Sequence, residues 1–133
     1  MINPRLKSVI LTSPVIVHKG RYAYLKTTET KLNNHFFISK DKDEITVVTE
    51  EKNLKKTTYQ EIVKWFKLFE IKVSSPFICP GFLTAVGKAI SDKNLDILFV
   101  STFSKDFFLI NENDSDIAIN AIRGIGFKVK IEK

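Results

Sequence analysis

Hydrophobic positions fall in short alternating or β-branched runs along the first half of this chain. Ser8-Val9-Ile10-Leu11-Thr12-Ser13-Pro14-Val15-Ile16-Val17-His18 is one such run, and Lys19-Gly20 turns it into Arg21-Tyr22-Ala23-Tyr24-Leu25-Lys26. That pattern predicts a hairpin, with Met1 to Arg5 leading into its first strand. Two more strands, His35 to Ile38 and Glu44 to Val48, flank Asp41-Lys42-Asp43. Acidic side chains in such a turn can accept nearby backbone N–H groups. Glu50 to Lys56 is polar and lysine-rich and reads as an exposed connection, and Tyr59 to Lys64 reads as a short helix at a junction.

From Trp65 the pattern changes. Phe66 to Val73 alternates, with Leu68, Glu70 and Lys72 on one face and Phe69, Ile71 and Val73 on the other, as a strand requires. Ser74-Ser75-Pro76 and Cys79-Pro80-Gly81 break it, after which Phe82, Leu83, Val86, Ala89 and Ile90 fall on one helical stripe. Leu95 to Val100 and Asp106 to Ile110 pair as a hairpin across Ser101 to Lys105. Asn113-Asp114-Ser115 caps a second helix carrying Ile117, Ala118, Ala121 and Ile122, with Gly124 as its C′ residue, and Phe127 to Ile131 closes as a strand. The order β-α-β-β-α-β places both helices on one face of an antiparallel sheet through right-handed crossovers. Sixty-odd residues bury too little alone for comfortable stability. The first half, or a second chain, is therefore expected to cover what remains open.

Composition narrows the class. A chain of 133 residues with 44% hydrophobic and 27% charged residues, 5 Gly and 4 Pro belongs to an ordered globular protein. Its aromatics are mostly Phe, 11 in number, which have no polar handle and belong in cores. One cysteine, Cys79, excludes an intramolecular disulfide and a cysteine-rich metal site and points to the cytoplasm. No apolar run approaches the roughly 20 residues needed to span a bilayer. The net charge of +6 is spread thinly, so it permits anionic partners without implying nucleic acid.

Residues Phe69 to Phe127 resemble the ACT domain family, and within it the branch of the animal cytosolic arginine sensors and small microbial proteins. The segments that carry the resemblance are Asp43 to Val48, Ser75-Pro76-Phe77 with Gly81-Phe82-Leu83, Ile97 to Phe103, and Asp106 to Ile110. The combination Ser101-Thr102-Phe103-x-x-Asp106-Phe107-x-Leu109-Ile110 is its most specific part. The resemblance implies an α+β fold of two tandem ACT-like, ferredoxin-like lobes: a divergent, strand-rich lobe over 1–66 and an ACT domain over 67–133.

It also implies a free amino acid as ligand, bound at a lobe or subunit interface between the loop after the first strand and the second-to-third-strand hairpin. The expected contacts are Cys79, Pro80, Gly81, Phe82, Thr102, Phe103 and Asp106. Unpaired N–H groups at the helix start favour an α-carboxylate, Gly81 admits a close approach, and Asp106 can accept from an ammonium or guanidinium group. Thr102-Phe103-Ser104-Lys105-Asp106 matches the ligand-contacting pattern of the arginine sensors, which makes a cationic amino acid, arginine or lysine, the preferred ligand. Lys105 favours that ligand if it projects to the opposite strand face and opposes it if it folds toward Asp106.

Purely structural readings stand beside these. Gly81 serves a strand-to-helix turn, Asp106 caps its hairpin, Phe103 joins the core, and Cys79 is a small buried hydrophobe. No nucleophile or metal-ligand spacing surrounds His18 or His35, and no Gly-rich phosphate loop is present. The expectation is therefore a non-catalytic sensor or regulatory protein without cofactor, a homo-oligomer (dimer) acting on a separate regulated protein. The alternatives are a ligand-free oligomerisation module and, behind it, an RNA-binding ferredoxin-like module, whose basic-Gly-aromatic motif is missing.

Overall fold

The computed structural model describes residues 4–28, 34–74 and 79–133. Along the chain these form α1 (Pro4–Leu11), β1 (Val15–Val17), β2 (Tyr22–Thr27), β3 (Phe37–Lys40), β4 (Ile45–Glu50), β5 (Glu61–Ile71), α2 (Phe82–Ser91), β6 (Leu98–Ser101), β7 (Asp106–Asn111), α3 (Ser115–Gly124) and β8 (Val129–Ile131). They fall into two compact units, one of Met1–Lys19 with Lys67–Lys133, the other of Gly20–Phe66. The division near residue 66 falls on β5, and the N-terminal segment groups with the second half of the chain.

The reason lies in the first helix. The β-branched run over residues 8–11, expected as a strand, is helical instead. Leu6, Val9 and Ile10 are spaced three and one apart and all three are buried, and such a stripe outweighs the weak strand preference of its residues. Pro4 at the first helical position has no N–H to leave unsatisfied. The helix stops where the Thr12 hydroxyl donates to the Ser8 carbonyl at 2.9 Å, just before Pro14. Only Val15 to Val17 is extended, and it pairs antiparallel with β5 (Val15 opposite Ile71) and parallel with β8 (Val15 opposite Val129). The hairpin expected between residues 8–18 and 21–26 does not form.

In this unit β5, α2, β6, β7, α3 and β8 follow one another in the expected β-α-β-β-α-β order. The strands lie side by side as β8-β1-β5-β7-β6, with β1 inserted between the first and last strands of the motif. All three helices pack on one face: Ile10 of α1, Val86 and Ile90 of α2, and Ile119 and Ile122 of α3 share a core with Phe69, Ile71, Phe108 and Ile110. The Phe69 and Phe108 rings stack at 4.6 Å, an arrangement worth about 0.5–1.5 kcal/mol beyond burial. The C-terminal cap of α3 differs from expectation. Gly124 is the last helical residue, and the positive φ of 115° falls at Gly126. Gly126 N–H bonds to Arg123 and Phe127 N–H to Ile122, the paired bonds of a Schellman motif.

The other unit is a sheet in the order β3-β4-β2-β5, with Ala23, Leu25 and Val47 at its core beside Ile62 and Trp65. The short helix expected over Tyr59 to Lys64 is instead the first part of β5, paired with β2. Its ladder partners on β2 decide the conformation locally. Residues 51–56, expected as an exposed connection, form a 3₁₀ turn without buried residues. The Asp41 carboxylate accepts from the amides of Asp43 at 2.7 Å and Glu44 at 2.9 Å, and those bonds hold its pKa below the ordinary carboxylate range. His35 bonds Thr49 at 2.8 Å, a structural role. Among the described residues no helix is long and apolar enough to cross a membrane.

Candidate functional site

The site is built where β5 gives way to α2 and where β6 turns into β7. Gly81 stands at the start of α2 with φ 88°, a left-handed conformation that glycine adopts without the penalty of a Cβ. A Cβ there would meet Leu6 at an ordinary 3.6 Å. The glycine is thus required by backbone conformation rather than by crowding. Phe82 N–H bonds back to the Cys79 carbonyl at 3.3 Å, and Ala85 N–H bonds to Gly81 at 2.9 Å. No side chain caps α2 among the described residues, so the amides of Leu83 and Thr84 belong to the set that a helix start leaves without intrahelical acceptors.

The β6–β7 hairpin pairs Ser101 with Asp106. Its loop closes with Thr102 N–H donating to the Lys105 carbonyl at 3.0 Å. The Ser101 hydroxyl donates to Asp106 Oδ1 at 2.7 Å. Asp106 shares strand parity with Phe108 and Ile110, which point into the helix-covered core, so it lies on the helix side of the sheet. Lys105 takes the other side: its Nζ lies 3.5 Å from Glu70 Oε2. This geometry resolves the two orientations that the sequence left open for Lys105.

All seven expected contact residues line one cavity of about 440 Å³: Cys79, Pro80, Gly81, Phe82, Thr102, Phe103 and Asp106. They differ in character. The Phe82 side chain is buried against Phe127, with ring centroids 5.7 Å apart, so it belongs to the core as much as to the cavity. Phe103 is 84% exposed, and the core position weighed for it does not occur. Cys79 is partly buried against the core. The Ser75-Pro76-Phe77 lead-in lies outside the described residues.

Ser101, Val73, Leu83 and Thr84 also line the cavity and were not among the contacts expected from the sequence, and Lys105, weighed there only as a competitor for Asp106, lines it too. The hairpin register was the available signal for Ser101, since closing a loop at Thr102 to Lys105 sets it opposite Asp106. Glu70 had a signal too, as the one acidic position among Leu68, Phe69 and Ile71. Its side chain is 8% exposed and accepts from His18 Nε2 at 2.8 Å. His18 Nδ1 lies 3.4 Å from Glu132, whose carboxyl is held below the ordinary range by the Lys19 amide and by His18. Partners so distant in sequence are invisible before folding.

Among the described residues no group of three His, Cys, Asp or Glu side chains is arranged to hold a metal ion. Phe107 and Phe108, the aromatics considered for base stacking, are 5% and 0% exposed and offer no ring face to a nucleic acid.

Comparison with known proteins bears on the fold. Residues 65–124 match the ACT domain family. The fold is similar to that of VC0802 from Vibrio cholerae, a protein of unknown function, with a TM-score of 0.77 at 12% identity over 92% of this chain and 96% of that one. Atu0741 from Agrobacterium tumefaciens has a TM-score of 0.70 at 19% identity, covering 91% of this chain and 94% of its own. The regulatory subunit of aspartate kinase from Thermus flavus has 0.65 at 7%, covering 84% and 96%. No curated protein matches. The fold class is α+β with ACT-like lobes, as in the aspartate kinase regulatory subunit.

Proposed function

We propose that this chain, with its ACT domain over residues 65–124, is a non-catalytic amino-acid sensor or regulatory protein whose ligand occupies the cavity between the start of α2 and the β6–β7 hairpin. The observation that carries the reading is the convergence of that helix start and the Asp106 carboxylate on one cavity of about 440 Å³, within the ~300–1,000 Å³ usual for small-molecule sites. The α-carboxylate meets the first-turn amides of α2, where the helix dipole favours negative charge. Asp106, whose hydrogen-bond partner is the neutral Ser101 hydroxyl, receives a cationic side chain such as that of arginine or lysine. Lys105 supports this assignment because its charge is directed to Glu70.

Regulation follows by linkage. A ligand that binds one assembly state better shifts the population toward it by its differential affinity. A thermal-shift screen over the common amino acids tests the proposal. A cationic amino acid at a hundred times its Kd adds about 2.7 kcal/mol of stability, and Asp106→Ala removes that shift. Absence of a shift with every amino acid refutes the sensor reading.

One observation favours a second reading, a ligand-free oligomerisation module. Among the described residues β6 pairs with β7 alone, which leaves an open sheet edge that a second copy can extend. Under that reading, sedimentation shows a concentration-dependent dimer that amino acids do not alter.

A further inference from the structure

Glu70 is hard to account for by packing. Leu68, Phe69 and Ile71 around it are 2%, 0% and 0% exposed, and a carboxylate in such surroundings loses solvation unless it is paired. Both of its oxygens are engaged, Oε1 by His18 Nε2 at 2.8 Å and Oε2 by Lys105 Nζ at 3.5 Å. Lys105 is adjacent in sequence to Asp106 and also lines the cavity. Its backbone is fixed by the Thr102 amide, but its side chain is about half exposed, at 47%, on a flexible four-carbon stem. Two carboxylates are therefore available to one ammonium, Glu70 on one side of the sheet and Asp106 on the other.

We infer that Glu70 is a specificity-determining positioning residue: by holding the Lys105 ammonium on the far side of the sheet, it leaves Asp106 as an uncompensated negative charge for a cationic ligand. This deepens the proposed function and rests on it. If Lys105 is released, it pairs with Asp106 and the ligand's cation loses its counter-charge. A neutral ligand of the same shape loses nothing. His18 Nε2 holds the other Glu70 oxygen at 2.8 Å, a contact that Glu70→Gln also alters, so adding Lys105→Met to Glu70→Gln isolates the effect on Lys105.

The test is calorimetric titration of the full chain and of Glu70→Gln with arginine and with citrulline, its neutral isostere. The inference predicts that arginine affinity falls about ten-fold in Glu70→Gln, by loss of one charge-assisted contact, that citrulline affinity changes less than two-fold, and that adding Lys105→Met restores arginine binding. Unchanged arginine affinity in Glu70→Gln, an equal loss for both ligands, or no restoration by Lys105→Met overturns it. If the unmodified chain binds no cationic amino acid, the proposed function itself fails. A ligand-free measurement separates that case: the Lys105 side-chain ammonium resonance responds to Asp106→Asn in the Glu70→Gln background and not in the unmodified chain. A response equal in both backgrounds overturns the positioning role whatever the ligand. Lys105→Met alone, altering an exposed side chain, guards against a folding defect in Glu70→Gln. It is expected to bind arginine at least as tightly as the unmodified chain, and weaker binding overturns the inference.

Discussion

Asp106 and Asp41 are both turn-flanking carboxylates, and their surroundings give them different work. Asp41 Oδ1 accepts from two backbone amides within its own turn, whereas Asp106 Oδ1 accepts from a neutral side-chain hydroxyl, that of Ser101, and its side chain lines the cavity. Asp106→Asn preserves an acceptor for Ser101 and removes the charge. Hydrogen bonds to charged groups contribute ~1.5–3 kcal/mol, so calorimetry should show cationic amino-acid affinity falling by about ten- to a hundred-fold.

For Asp41 the sign follows from its depressed pKa. The folded state prefers the ionised form, so the contribution to stability is complete above the unfolded carboxyl's pKa and lost as pH falls through the folded value. Asp41→Ala is accordingly less stable than the unmodified chain at neutral pH, and the gap in Tm closes in strong acid. A gap that widens on acidification contradicts this assignment. The Asp41 turn was legible because its partners lie within three residues. The Glu70–His18 pair was not, because 52 residues separate its members.

At the scale of elements, the strand, helix and hairpin succession from β5 to β8 could be read from periodicity because each element buries its own stripe. The N-terminal segment misled for the same reason in reverse. Val9, Ile10 and Leu11 are β-branched or bulky enough to suit a strand, and the partner that makes them helical is a core assembled from residues 69–127. Ile10 is fully buried while the adjacent Leu11 is 47% exposed. Ile10→Ala should cost about 2–5 kcal/mol in urea denaturation, and Leu11→Ala should stay within ~0.5 kcal/mol. Equal costs would show that α1 does not pack as described. Gly126 combines a φ of 115° with Ile10 Cγ2 only 3.4 Å from the position of an added Cβ, so Gly126→Ala should destabilise by about 1–3 kcal/mol. The sequence pointed to Gly124 because it follows the apolar stripe. The left-handed residue lies two positions later, where Phe127 turns back into the core.

For the molecule as a whole, the β-α-β-β-α-β motif and its ACT-like character were visible in the sequence, while the insertion of β1 between β5 and β8 was not. Three residues carry no periodicity long enough to reveal a sheet partner. That strand comes from the N-terminal segment that groups with the motif's unit. Under the oligomerisation reading a second copy extends β6, which pairs with β7 alone among the described residues, and the cavity lies at the end of the same hairpin. If the two are linked, a ligand that fills the cavity changes the dimerisation constant, and the dimer changes ligand affinity by the same factor. Sedimentation with and without the ligand measures that factor.

Whether the cavity between the start of α2 and the β6–β7 hairpin takes a cationic amino acid is decided by calorimetric titration of arginine and lysine into the chain and its Asp106→Ala variant. Saturable binding at one site per chain, abolished by the substitution, is expected. No saturable heat with either amino acid, or binding that survives in Asp106→Ala, contradicts it.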